Sequence, residues 1–183
     1  EEYQGKADVI FVCVKGYSID SVKEVIERAS APHTLVIPIL NVYGTGPRIG
    51  RLTPEVTVLD GCIYIVGFVS GEGEITQMGS IFRLVFGARP EQGVSQERIE
   101  AIAEDVRSCG IKVDVSDDIN RDTFINGHLF RQWHVLEHIT MYQWEKYNTK
   151  AKYEIHLSDC PEKVQKSDTR WEFLIRKILF LTI

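Results

Sequence analysis

The chain has few of the features that mark secreted, membrane or nucleic-acid-binding proteins. Its four cysteines are scattered over 183 residues without a Cys-x-x-Cys pair, so neither a zinc knuckle nor a disulfide framework is indicated. No apolar run approaches the ~18 residues of a membrane span, and no secretory leader is visible. The net charge is -5 and the pI is about 5.6, which argues against nucleic acid as a partner. We therefore expect a globular cytoplasmic protein with buried thiols and no membrane or nucleic-acid partner.

The most organised stretch runs from Ala7 to Asn41. Two apolar runs, Val9 to Val14 and Leu35 to Leu40, suit strands that are buried on both faces, as in parallel sheets. The segment between them has apolar residues at helical spacing: Ile19, Val22, Val25 and Ile26. Strand, helix and strand make a right-handed βαβ unit. Because ligands of such sheets bind outside the carboxyl ends of the strands, Lys15 and Asn41 are candidate site residues.

The next segment predicts an antiparallel pair. Val56 to Val69 is strand-like, and Gly71-Glu72-Gly73 is a hairpin signal, with strands predicted over Glu74–Met78 and Ile81–Phe86. Arg89 to Gly93 is a plausible linker.

A helix and a further strand follow. Ser95 to Cys109 is predicted as an amphipathic helix that ends at Gly110. Its apolar stripe is Ile99, Ile102, Ala103 and Val106. Ile111 to Val115 is a short strand, and another helix begins after Asp117 or Asp118 as its cap.

These segments resemble the ketopantoate reductases (2-dehydropantoate 2-reductases). The resemblance rests on Val-Lys-x-Tyr after the first strand, Leu-Asn after the second, RLTPEVTVLDGCIYIVGFVSGEGEITQMGSIFRLVFG and SCGIKVDVSDDINRDTF. It implies an α/β chain in which residues 1–90 are the later part of a Rossmann-like NADP-binding domain. Residues 91–183 would be a remnant of a mainly helical substrate domain. The phosphate-binding Gly-x-Gly-x-x-Gly turn is absent from this chain, so we expect an N-terminal truncation that leaves an exposed edge on the first strand.

The resemblance also implies a function, the reduction of 2-dehydropantoate to pantoate with NADPH. Lys15, Asn41 and Gly67 would contact the cofactor, and Asn41 would also contact the small 2-keto acid substrate. Asn126 stands where the family has its general-acid lysine, so no catalytic residue is assigned and the chain is expected to be impaired. Relatives usually have glycine at the position of Val42. A homo-oligomer is left open.

The composition changes after Phe124, where the resemblance stops. We hypothesise a shifted reading frame, because joining the third base of the Ile125 codon to the first two of Asn126 gives a lysine codon if that base is A. The apolar end, Trp171 to Ile183, predicts an amphipathic helix or aggregation-prone sequence without selected function.

Two other functions compete with the reductase. One is a non-catalytic α/β fragment that self-associates through its open sheet edge. The other is a zinc hydrolase, because His134, Glu137 and His138 match the pattern H-x-x-E-H, which places both histidines on one helix face. That site needs a third ligand, for which Glu154 or His156 are candidates.

Overall fold

The structure is a computed structural model and describes residues 5–71, 74–128, 152–154 and 178–181. The strands are β1 (Ala7–Val12), β2 (Ser30–Pro38), β3 (Thr57–Val58), β4 (Asp60–Gly71), β5 (Glu74–Gly87), β6 (Lys112–Val115), β7 (Lys152–Glu154) and β8 (Ile178–Leu181). The helices are α1 (Lys23–Ala29), α2 (Thr45–Leu52) and α3 (Gln96–Arg107), with 3-10 turns at Gly16–Val22 and Pro90–Gln92. Residues 119–128 are also helical.

The first sheet is parallel throughout, with the strand order β3-β2-β1-β8. It contains the predicted strand–helix–strand unit, although each strand ends two residues earlier than predicted. The pairing continues past the end of β2, because the Ile39 amide donates to the Val12 carbonyl at 3.0 Å. The chain is therefore of the α/β class, as predicted.

The outer edge of β1 is covered, whereas the sequence predicted it to be exposed. β8 pairs with β1 in parallel, with Val9 opposite Ile178 and Val12 opposite Leu181. This part of the C-terminal run is thus a strand, which neither sequence interpretation of that run anticipated.

The second sheet has the order β4-β5-β6, and β7 pairs with another part of β5. β4 and β5 form the predicted antiparallel pair. The two strands predicted at Glu74–Met78 and Ile81–Phe86 are one strand with a bulge, since the register moves from Ile65–Phe82 to Val66–Met78. Gly79 lies inside the bulge at φ +72°, a conformation that glycine adopts without steric cost.

Two buried clusters cover the two faces of the first sheet. Side chains alternate along a strand, and β1 accordingly gives Val9 and Phe11 to one cluster and Ile10 and Val12 to the other. The first cluster also contains residues of β2, β5, β6 and α3, together with Leu59, which directly precedes β4. They are Leu35, Ile37, Leu59, Leu84, Phe86, Ile99, Ile102, Ala103, Val106 and Val113. Packing thus crosses residue 90, where the sequence placed a domain boundary.

The two helices predicted after residue 93 are present. The Ser95 side chain accepts a hydrogen bond from the Arg98 amide at 3.4 Å and caps α3. Asp118 caps the segment 119–128 in the same way, accepting from the Arg121 amide at 3.1 Å. Among the helices in the described ranges, none has the length and apolar character to cross a bilayer.

Candidate functional site

Lys15 and Asn41 lie at the carboxyl end of the first sheet, as predicted. Lys15 is exposed and precedes the 3-10 turn, where its carbonyl accepts from the Ser18 amide at 2.8 Å. Asn41 is half-buried, and its Oδ1 accepts from the Ile63 amide of β4 at 3.4 Å. The two loops touch, since a Cβ on Gly16 would lie 3.5 Å from Val42 Cγ2. The loops that carry Lys15 and Asn41 are therefore neighbours at this edge.

Val42 does not distort the loop, although the family has glycine there. No non-glycine residue in the described ranges has a positive φ, so Val42 is in an ordinary conformation. The left-handed turn is made two residues later by Gly44, at φ +80°. Half of the Val42 side chain is exposed, and it lies on the surface of the candidate site.

The helical segment 119–128 packs on this loop. A Cβ on Gly127 would lie 3.3 Å from the Tyr43 amide nitrogen and 3.8 Å from the Asn41 carbonyl. The Phe124 and Tyr43 rings pack edge to face with their centroids 5.5 Å apart. These contacts bring position 126 to the side of the Asn41 loop, although the two positions are distant in sequence.

Asn126 is buried there, with 1% of its surface exposed. Neither its Nδ2 nor its Oδ1 has a hydrogen-bond partner, and each unsatisfied group of this kind costs roughly 1–3 kcal/mol. Burial raises the pKa of the neighbouring Tyr64, and the Asn126 amide beside it partly lowers it. The two side chains are thus in contact without good hydrogen-bond geometry. Position 126 thus holds a buried polar side chain whose hydrogen-bonding groups are unpaired.

Tyr64, the neighbour of Asn126, is itself close to Arg83 of β5 and Cys62 of β4. The Arg83 guanidinium lies 5.0 Å from the Tyr64 ring centroid and pairs with Asp114 at 2.8 Å. Cys62 is fully buried, and burial raises the pKa of its thiol to about 11. The Cys62 thiol is therefore protonated at neutral pH and is no nucleophile there.

Of the thiols predicted to be buried, Cys62 is buried, whereas Cys13 and Cys109 are half-buried. Within the described ranges Cys13 and Cys62 are free, and the Cys109 thiol donates to the Asp105 carbonyl at 3.5 Å. Cys13 is half-buried, and burial raises the pKa of its thiol to about 12. Cys160 lies outside the described residues.

Gly67 is not brought to the other candidates. It lies in β4 opposite Gln77, beyond the bulge, and is exposed. It is four residues along the strand from Ile63, which contacts Asn41, and thus about 13 Å away at 3.3 Å per residue. Its proposed contact with the cofactor stays a prediction.

A charged pair behind the site was missed by the sequence reasoning, which treated Arg89 as part of a linker. Arg89 Nε lies 3.3 Å from Asp60 Oδ2, and both side chains are largely buried. Asp60 Oδ1 accepts from the Gly46 amide near the start of α2 at 3.1 Å. The pair thus holds the helix that follows the Asn41 loop. An aspartate at the start of an apolar strand was the signal that could have revealed it.

The structure does not test the zinc alternative. His134, Glu137, His138 and His156 lie outside the described residues, and only the backbone of Glu154 is described. In the described ranges no three His, Cys, Asp or Glu side chains are grouped as metal ligands. The zinc site stays a prediction.

Comparison with known proteins agrees with the fold. Residues 1–91 match the family model described as ketopantoate reductase PanE/ApbA. No curated protein sequence matches the chain. Several solved structures do match it in fold.

The 2-dehydropantoate 2-reductase from Porphyromonas gingivalis W83 is 28% identical, with a TM-score of 0.55 over 63% of this chain and 40% of that one. The enzyme of the same name from Methylococcus capsulatus is 24% identical, with a TM-score of 0.55 over 67% of this chain and 38% of that one. A D-mandelate dehydrogenase, solved with NADH and anilino(oxo)acetate, is 19% identical, with a TM-score of 0.56 over 65% and 38%. The chain therefore matches less than half of the length of each.

The parallel sheet and the matches in fold define an α/β protein with a partial Rossmann-like domain. Through residues 1–91 the chain belongs to the ketopantoate reductase family.

Proposed function

We propose that the chain derives from an NADPH-dependent reductase of 2-dehydropantoate and retains the nicotinamide-facing part of its site. The observation that carries the proposal is the meeting of three segments. The loop after β1, the loop after β2 and the helical segment 119–128 converge beside Asn41. These segments come from the positions that the family resemblance assigns to cofactor, substrate and proton donor.

The residues at this edge fit a nicotinamide cofactor. Among the described residues the Asn41 Nδ2 has no partner, while Oδ1 is fixed by the Ile63 amide. The free N–H groups would donate to a carbonyl or hydroxyl oxygen of a bound molecule, with their direction set in advance. Lys15 would add a positive charge next to the ribose. When bound, the cofactor would supply the hydride for the ketone.

Asn126 limits the rate of reduction that this chain could reach, because it replaces the proton donor of the family. A carboxamide does not release a proton as an ammonium group does, and loss of a general acid costs about 10²–10⁴ in rate. We therefore propose that the chain turns over 2-dehydropantoate slowly or not at all.

Restoring the lysine tests this proposal. We expect Asn126→Lys to raise NADPH oxidation in the presence of 2-dehydropantoate, by up to about 10²-fold. Asn120→Lys is the matched control, because it adds the same charge to the same helical segment at an exposed position. Folded Asn126→Lys protein that binds NADPH but is no faster than the control would contradict the assigned role. Absence of NADPH binding in every variant would contradict the proposed function itself.

The reading-frame hypothesis has a separate test. The encoding DNA, sequenced through the codons for Phe124 and Asn126, should contain a lysine codon in the shifted frame. If it does not, Asn126 is a true departure from the family. The Asn126→Lys experiment then measures a substitution and not a repair.

The second candidate is a non-catalytic fragment. Concentration-dependent association without NADPH binding would support it. In the structure β8 covers the edge through which that association was predicted, so this candidate needs a different surface or the release of β8.

A further inference from the structure

β1 is a central strand by its packing. Ile10, Phe11 and Val12 have no exposed surface, and Val9 has 5%. Its side chains supply both core clusters, one on each face of the sheet. A strand of this kind has to be paired on both sides, because an open edge would leave apolar side chains and unpaired backbone groups beside water.

β2 pairs with one side of β1, and β8 pairs with the other. The β8 pairing covers four consecutive positions, Val9 to Val12 against Ile178 to Leu181. It is parallel, as are all other pairs of this sheet. β8 therefore extends the sheet in the same parallel orientation as the other strands.

We propose that the outer edge of β1 is a strand-accepting surface and that the chain's own β8 is its occupant. Docked β8 keeps the edge from pairing with a second copy of the chain. The association state is thereby set by whether Ile178–Leu181 stays paired with β1. When a strand adds to a sheet edge, main-chain hydrogen bonds supply most of the affinity. β1 favours such an addition because its side chains are buried. The proposal does not depend on reductase activity.

Deletion of residues 178–183 is the first test. We expect amide exchange in Ala7–Val12 to speed up at least about tenfold, and the protein to associate increasingly with concentration in sedimentation velocity. Deletion of 182–183 alone is the matched control, because it shortens the chain and keeps Ile178–Leu181. A monomeric 178–183 deletion with unchanged exchange in β1 would overturn the proposal.

A crosslink tests the proposal without shortening the chain, and so does not depend on the truncated protein folding. Val9 and Ile178 are partners in the register. We expect Val9→Cys with Ile178→Cys, in a chain whose four native cysteines are replaced by alanine, to form a disulfide within one chain. On a non-reducing gel the product should migrate as a monomer. A crosslinked dimer would assign the occupant to a second copy, and no crosslink would show the edge unoccupied; either result overturns the proposal.

Discussion

Gly46 is the residue whose side chain the fold can least accommodate. A Cβ at this position would lie 2.3 Å from Asp60 Oδ1 and 2.5 Å from the Leu59 carbonyl oxygen. Relief would require α2 to move away from β4, and the Gly46–Asp60 hydrogen bond would be lost. We expect Gly46→Ala to lower the free energy of unfolding by about 2–4 kcal/mol, as overpacking and a lost hydrogen bond together imply. Urea denaturation measures this directly.

Gly50 is the matched control for that substitution. It lies in the same helix, and its added Cβ would meet nothing closer than Val58 Cβ at 4.0 Å. Alanine is the better helix former by up to about 1 kcal/mol. Gly50→Ala should therefore be neutral or stabilising. Equal losses in both variants would contradict the assignment of the Gly46→Ala effect to the close contacts with Asp60 and Leu59.

At the scale of single residues, the sequence predicted positions better than contacts. Lys15 and Asn41 were placed at the sheet edge because strand ends follow from apolar runs. The burial of Asn126 beside Tyr64 could not be predicted, because it depends on how the segment 119–128 docks on β4. The Asp60–Arg89 pair was missed for the same reason. Contacts between residues that are far apart in the sequence produce no periodic pattern in either segment, so they cannot be predicted from the sequence of one segment.

At the scale of elements, the Asp60–Arg89 pair joins the start of α2, the start of β4 and the turn Pro90–Gln92. Arg89 and Gln92 both donate to the Val58 carbonyl. Burial raises the pKa of Asp60, and the Arg89 guanidinium opposes that rise. Stability from this group is therefore fully present below its ordinary pKa of 3.8 and is lost as the pH rises through its pKa in the folded protein.

Arg89→Met should make this loss larger and move it to higher pH. Without the guanidinium, the Asp60 charge is buried and unpaired, which typically costs about 3–5 kcal/mol. Protonation of Asp60 relieves that cost. We expect the destabilisation to be largest at about pH 7 and to shrink toward about pH 4, as linkage requires. Denaturation of wild type and variant across this range gives the difference directly.

Glu91→Gln is the control for the Arg89 variant. Glu91 also faces Arg89, at 3.5 Å, but its side chain is 69% exposed. Exposed pairs contribute about 0–1 kcal/mol, so this variant should change stability little at any pH. A pH-independent loss in Arg89→Met would mean that the arginine acts through packing alone.

The bulge in β5 shows where element prediction fails. Gly79 and Ser80 interrupt the alternation, so the sequence pattern gave two strands. The backbone continues through them because Gln77 Nε2 donates to the carbonyls of Gly79 and Ile81, both at 3.3 Å. The Gln77 side chain thus pairs with two backbone carbonyls that a regular strand would pair with the neighbouring strand.

At the scale of the whole molecule, the α/β class followed from the apolar runs, but the sheet's completion by β8 did not. Ile178–Leu181 is far from β1 in sequence, and the strand order of a parallel sheet is not encoded in local periodicity. The domain boundary at residue 90 stays a prediction, and the first core cluster contains residues from both sides of it.

That shared core yields a test of whether residues 1–90 behave as a separate unit. Ile99 lies in α3, is 1% exposed and packs in the cluster that includes Phe11 and Leu35. Ile99→Ala should cost about 2–5 kcal/mol. If the cluster unfolds as one unit, amide exchange in Ala7–Val12 and in Lys112–Val115 should speed up by the same factor.

Ile81→Ala removes the same side chain at a position that is 63% exposed, and it should shift both sets of amides by no more than about 0.5 kcal/mol. Faster exchange confined to Lys112–Val115 in Ile99→Ala would mean that two units divide near residue 90. A common factor would mean that α3 and β6 unfold together with the first sheet. Their loss would then disorder Lys15 and Asn41 along with the core, because both residues take their positions from the ends of β1 and β2.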